Sequence, residues 1–345
     1  MSQRSQKKRR FTLQIIFHGM LLTLLILMSG CTIMPVQSIQ PLQPIHYTSG
    51  EKAQTLRYAN TLNEIGLGSE DYLTRIIAGE KVQDIKQPTA IGIRDHLMFI
   101  ADVGSGLIYK YDFNKKRMVI LNGVGDRVQG EVSDIYVARD YSFYVADVLA
   151  KRVLHFSESG SLLKIFSDAP NLSSPISVFV DEDAKEVLVA DENFSHIVVF
   201  NYAGEPVYGM GSRGEGPGKF RIITDMIPIE EGFLVSDRIE YSVQVLDRQG
   251  KYMTHFGEGD LLFPTALAMD KYGRIYVAEK AESVIKVFKN GKVIDVIGRN
   301  GYGRGEFRHI SDMKIAKDQL YVVDNLNGRI QIFDILPANQ ASLLQ

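Results

Sequence analysis

The chain has 345 residues, 45% hydrophobic and 23% charged, with a formal charge of -2. That is an ordinary globular composition with enough length for a substantial core, and its near-neutral balance gives no global field favouring nucleic acid or an anionic membrane. Length alone allows two domains, although all-β folds often use this much chain as one.

The N-terminus stands apart from the fold. Arg4, Lys7, Lys8, Arg9 and Arg10 form a basic start, and Phe11 to Met28 is apolar except for Thr12, Gln14, His18, Gly19 and Thr23. Small residues Ser29 and Gly30 then precede Cys31, the only cysteine. This is the layout of an export signal, and a lone cysteine excludes an intramolecular disulfide. The stretch Leu27-Met28-Ser29-Gly30-Cys31 resembles a bacterial lipobox, with Met28 where Leu is usual. The resemblance implies a signal peptide over residues 1–30 and an acylated, palmitate-bearing Cys31. The alternatives are an uncleaved transmembrane anchor, since the apolar run approaches spanning length, and a plain buried thiol. Thr32 follows the cysteine instead of Asp, which by similarity to enterobacterial lipoproteins implies the outer membrane over the inner.

Residues 31–66 read as a lipidated tether. Thr32 to Gly50 has three prolines, several glutamines and little periodicity. Within the tether, Glu51 to Leu62 is expected to form a short helix, because Ala53, Leu56, Ala59 and Leu62 lie three apart.

From there the chain repeats itself. An apolar strand ending in an acid occurs six times, at Asp102, Asp147, Asp191, Asp237, Glu279 and Asp324, in steps of 45, 44, 46, 42 and 45 residues. Six places after each acid stands Ile or Val, and nine places after it stand Tyr111, Phe156, Phe200, Leu246, Phe288 and Phe333. A further strand precedes each unit, and most units end in a fourth after a glycine turn. Four antiparallel strands in about 45 residues make the blade of a β-propeller. The last unit runs out after its third strand, and a ring must close without a free edge. Tyr72 to Gly79 is the expected outer strand of that blade. The fold class is therefore all-β: a six-bladed β-propeller of four-stranded antiparallel blades, closed by an N-terminal outer strand in the last blade. It is expected over residues 67–337, with a tail at 338–345.

Tyr321 to Phe333 and the connectors Gly211 to Phe220 and Gly298 to Phe307 resemble the NHL-repeat propellers. The resemblance implies the fold but no single activity, since such propellers serve many functions. The connectors' glycines are followed by a strand and not by a helix N-terminus, so they read as blade crossovers sealed by Phe220 and Phe307 and not as a phosphate cradle. The repeat acids read as turn builders that accept nearby backbone N–H bonds.

The informative departure lies where the inner strands begin. Blades 1, 3 and 5 carry Pro88-Thr-Ala90, Pro175-Ile-Ser177 and Pro264-Thr-Ala266. Blades 2, 4 and 6 carry Val132-Ser-Asp134, Ile223-Thr-Asp225 and Ile310-Ser-Asp312. Asp134, Asp225 and Asp312 are expected at the channel mouth in threefold array, where a hard cation such as calcium, or a partner's lysine or arginine, would complement them. The bland reading is that each bonds local backbone N–H groups. His46, His96, His155, His196, His255 and His309 fall in different layers and do not suggest a three-histidine zinc site. This differs from the amidating lyases among NHL-like propellers, and the three aspartates only loosely echo the metal site of gluconolactonase-like ones. No cysteine or serine nucleophile motif is present. The exposed register five after each acid holds only two basic residues, Arg152 and Arg329, unlike RNA-binding NHL domains. The expectation is an exported, membrane-anchored envelope lipoprotein that binds a protein, peptide or glycan partner, with no nucleic acid. The alternative is a metal-dependent lyase or lactonase at the channel mouth.

Overall fold

The structure, a computed structural model, describes residues 55–62, 85–167 and 170–337. Six sheets of four antiparallel strands follow one another, and each is a single repeat unit. Blade 1 contains Pro88–Arg94, Leu97–Asp102, Leu107–Asp112 and Arg117–Ile120 in that spatial order. Blades 2 to 5 repeat the order, with inner strands Val132–Val137, Pro175–Asp181, Ile223–Pro228 and Pro264–Met269. Consecutive inner strands pack against one another, and that of blade 6, Ile310–Ala316, packs against blade 1. The ring is thus a closed six-bladed β-propeller.

The middle strands are apolar on both faces because each blade is covered by two neighbours. Val187, Val189, Ile197, Val199 and Phe200 in blade 3 are all fully buried. Rings cross the blade boundaries: Phe99 stacks on Phe143 at 4.3 Å, and Tyr136 meets Phe179 edge-on at 5.6 Å. The two glycine connectors seal blade boundaries as expected. Phe220 and Phe307 are fully buried within the clusters between blades 3 and 4 and between blades 5 and 6. Gly211 and Gly298 sit at φ +74° and +93°, and a Cβ on them would lie 2.7 Å and 2.5 Å from those rings. Only glycine meets both conditions.

Closure departs from the expectation. The outer strand of blade 6 is Leu56–Leu62, antiparallel to Arg329–Ile335. Tyr72 to Gly79 lies outside the described residues, and the segment expected as a helix is a strand where it is described. The propeller therefore takes in residues assigned to the tether. A β-bulge at Ala59 caused the misreading. Pairing runs Tyr58 to Phe333 and then Asn60 to Ile332, so the alternation shifts by one. Leu56 consequently joins the cluster facing blade 5 and Leu62 the cluster facing blade 1. Buried leucines on opposite sides of a bulge leave a spacing that imitates a helix. The strand is pinned at its start by buried Asp295, whose Oδ2 accepts from Thr55 N–H at 2.9 Å and Thr55 Oγ1 at 2.8 Å. The Arg57–Asp334 pair at 2.8 Å adds little at the exposed edge.

Closure by this strand has a direct test. A chain starting at residue 52 should unfold cooperatively in urea. One starting at residue 65 retains Tyr72 to Gly79 but should lose cooperativity and aggregate through its open edge. Equal stability of the two chains contradicts the assignment.

Candidate functional site

Each site residue is placed by the repeat acid of its blade. All six acids are essentially buried, at 0–1% exposure. Most accept an N–H within their own turn, as at Gly104, Ala150, Phe194, Ile239 and Ala281. They also reach back to the connector that enters the blade. Gln87 N–H donates to Asp102 Oδ1 at 2.6 Å, Ser174 N–H to Asp191 Oδ2 at 2.6 Å, and Phe263 N–H to Glu279 Oε1 at 2.6 Å. The residue after each acid then donates its N–H to the carbonyl of the residue before the inner strand. The six bonds, Val103 to Gln87, Val148 to Glu131, Glu192 to Ser174, Arg238 to Ile222, Lys280 to Phe263 and Asn325 to His309, span 2.8–3.1 Å. Two backbone positions per blade are thereby fixed while their side chains remain free to vary.

Nine of those twelve side chains, all but Val148, Ser174 and Ile222, form the wall of a funnel of about 580 Å³ at the mouth where the inner strands begin. The floor is the second residue of each inner strand: Thr89, Ser133, Ile176, Thr224, Thr265 and Ser311. Five of these six positions carry hydroxyls. Ser133 Oγ donates to Pro175 O at 2.8 Å and Thr224 Oγ1 to Pro264 O at 3.0 Å, tying each blade to the next. Thr89 Oγ1 and Ser311 Oγ are buried without a hydrogen-bond partner. The wall carries Glu131, Glu192, Arg238, Lys280, His309, Gln87, Asn325 and Phe263. Arg238 pairs with Glu192 at 3.0 Å, and Arg238 and Lys280 both lie over the Phe263 ring, at 5.4 Å and 5.3 Å. Burial, and then the nearby Lys280, hold His309 below the usual imidazole pKa, partly offset by its hydrogen bond with Asn325. His309 is thus neutral near pH 7, and Arg238 and Lys280 supply the positive charge of this wall.

The three aspartates are not at the mouth. Asp134, Asp225 and Asp312 are 5%, 6% and 3% exposed, one residue beyond the floor, and none lines the funnel. Each sits at a register shift of its strand and turns its carboxylate towards the following blade. Asp134 Oδ2 accepts from Val178 N–H, Asp225 Oδ2 from Leu267 N–H and Asp312 Oδ2 from Ile91 N–H, each at 2.8 Å. The donating N–H always follows Ala90, Ser177 or Ala266, the small residues of the odd blades. The alternation of Asp and small residues along the sequence is thus one interaction seen from its two sides: a carboxylate from an even blade and room for it in the next odd one.

The expected local bonds are also present, from Ile135 and Met226 N–H at 2.8 Å and 2.7 Å. The complementary cation belongs to the chain itself. Lys314 Nζ donates to Asp134 Oδ1 at 2.8 Å and Asp312 Oδ1 at 2.9 Å, joining blade 6 to blade 2 across blade 1. Sequence reasoning missed this residue. The signal was available: the same register in the other blades reads Gly92, Tyr136, Phe179, Ile227 and Ala268, so Lys314 is its only charge. Every oxygen of the three carboxylates already accepts a bond from N–H or ammonium, whereas calcium takes six to eight oxygen ligands. Among the described residues no group of three or more His, Cys, Asp or Glu could hold a metal ion.

Three carboxylates and one ammonium leave an excess of buried negative charge. Burial pushes the Asp312 carboxyl up to about 7 and that of Asp225 up to about 6; Lys314 opposes this shift and the neighbouring carboxylates reinforce it. For Lys314, burial acts against the charged form, but Asp134, Asp312 and Asp225 outweigh it and hold the pKa above the usual lysine value.

The arrangement defines the class as a six-bladed β-propeller with a polar funnel at one mouth. Residues 265–337 match the model of the DUF5128 family, described as a 6-bladed beta-propeller. No curated protein matches the sequence. Among solved structures, a structural genomics protein of unknown function from Bacteroides thetaiotaomicron VPI-5482 superposes with a TM-score of 0.59 at 12% identity, covering 73% of this chain and 70% of that one. A streptogramin B lyase superposes with a TM-score of 0.55 at 10% identity, covering 73% and 94%. At these identities the likeness is one of fold.

The charge imbalance predicts a pH effect. Asp225 and Asp312 bind protons more tightly folded than unfolded, where they titrate near pH 4, so their contribution to stability falls as pH rises through about 6 and about 7. Lys314→Met removes the cation that restrains this shift. It should cost about 3–5 kcal/mol, and its melting temperature should fall more steeply than the parent's between pH 5 and pH 8. The low pKa values of His155 and His309 tilt both curves the other way, so the difference between the curves is the readout. Parallel curves would refute the charge-balance account.

Proposed function

We propose that the protein is a lipid-anchored binding module of a bacterial cell envelope, of NHL-repeat type, whose propeller engages a protein, peptide or glycan partner through the funnel. One observation carries this reading. The backbone beneath the funnel wall repeats in all six blades, while the side chains it presents to the cavity differ from blade to blade: Val103, Glu131, Glu192, Arg238, Lys280 and Asn325. A position held by repeated bonds but filled by unlike side chains is free of the repeat's own needs and suits recognition.

The N-terminal order of basic residues, apolar run, small residues and Cys31 supports the anchor and an outer-membrane location, with the tether raising the local concentration for partners there. The lyase or lactonase alternative has only a likeness of fold behind it, and the carboxylates considered for its metal are engaged with backbone and Lys314.

Photo-crosslinking in cells tests the binding face. Probes replacing Glu131 or Lys280 should give adducts with an envelope component, and a probe at Leu163, exposed on the outer strand of blade 2, should not. Adducts confined to Leu163 place the partner elsewhere. For the anchor, Cys31→Ser should abolish palmitate labelling and release the protein from membranes; retained labelling contradicts acylation at that cysteine.

A further inference from the structure

The charges of the funnel are separated by the ring. Glu131 and Glu192 come from blades 2 and 3, Arg238 and Lys280 from blades 4 and 5. Glu192 and Arg238 meet where blades 3 and 4 adjoin and neutralise one another at 3.0 Å. Glu131 and Lys280 have no ion-pair partner among the described residues. In a ring of six, blade 2 faces blade 5, so these two opposite charges look at each other across the cavity and the fold holds them apart. With His309 neutral, the four wall charges sum to zero. A simple anion or cation therefore meets as much repulsion as attraction, whereas a ligand with separated charges of both signs meets attraction at each end. Phe263, beside Lys280, supplies an apolar surface, and the hydroxyl floor suits amide groups. About 580 Å³ holds a ligand of a few residues and excludes a folded domain.

We infer that the funnel binds a short peptide with both termini free, its amine against Glu131 and its carboxylate against Lys280. This rests on the reading of the funnel as the binding face. A neutral glycan offers nothing to either charge, whereas a short free peptide carries its amine and its carboxylate at opposite ends.

Calorimetric titration of the full chain with trialanine, N-acetyl-trialanine and trialanine amide tests the inference. Trialanine should bind, and each blocked peptide should bind about tenfold more weakly, the worth of one charge-assisted hydrogen bond. Glu131→Gln should erase the difference between trialanine and its N-acetyl form while preserving discrimination against the amide. Lys280→Gln should do the converse. Both side chains project from exposed positions, so the variants should keep the parent's melting temperature. Equal affinity for all three peptides, or no binding of trialanine at millimolar concentration, overturns the inference. Funnel crosslinks to an envelope component together with indifference to trialanine overturn the peptide alone and leave the binding face standing.

Discussion

Everything in this propeller hangs on a buried carboxylate that accepts backbone N–H groups from two directions. One set belongs to its own turn and the other to the connector arriving from the preceding blade. An ionised acceptor makes stronger bonds than a carbonyl, about 1.5–3 kcal/mol each. These acids are 0–1% exposed, so an unmade bond would be costly. The same acid therefore shapes a turn and locates the next inner strand. Glu279 serves in blade 5 with a longer side chain because the requirement is for a carboxylate at that place and not for aspartate as such.

A second set of carboxylates holds the inner strands to one another. Asp134, Asp225 and Asp312 each fasten an even blade to the following odd one, and Ser133 and Thr224 reinforce two of these joints. The arrangement gives the channel a threefold component within a sixfold ring. Lys314 breaks even that symmetry by bridging blades 6 and 2. It sits on the inner strand of blade 6, the blade that Leu56–Leu62 completes at its outer edge. A buried ion pair is a doubtful source of net stability, because desolvation offsets much of the attraction. Here its physical effect is to relieve repulsion among carboxylates that the backbone already requires.

The legible part of the fold was the part that repeats. Acid spacing, the strand ahead of each acid and the aromatic nine places after it located all six blades, because each copy faces the same two neighbours. The closing strand was hidden because it occurs once and carries a bulge at Ala59, which shifts the buried residues out of strand alternation. The three aspartates were recognisable as a departure, but their depth was not. One residue separates the funnel floor from the buried layer, and that step is set by a register shift that propensity does not reveal. Lys314 lay in plain view, yet its partner on blade 2 is 180 positions away along the chain.

The same logic explains where recognition is concentrated. Side chains in the middle strands are committed to packing, and the repeat acids to backbone. The outer strands turn side chains such as Leu163, Val207 and Met253 to solvent. At the inner-strand mouth, two side chains per blade are freed because bonds to their backbone fix their positions, and a ring of six brings most of them around one cavity. Sequence change there alters charge and shape without touching the framework, so a propeller can acquire a ligand without acquiring a new fold. In this chain the freedom has been used unevenly: acids on blades 2 and 3, bases on blades 4 and 5, and neutral Val103, Gln87 and Asn325 where blades 6 and 1 join. A closed ring turns that order along the sequence into opposition across space.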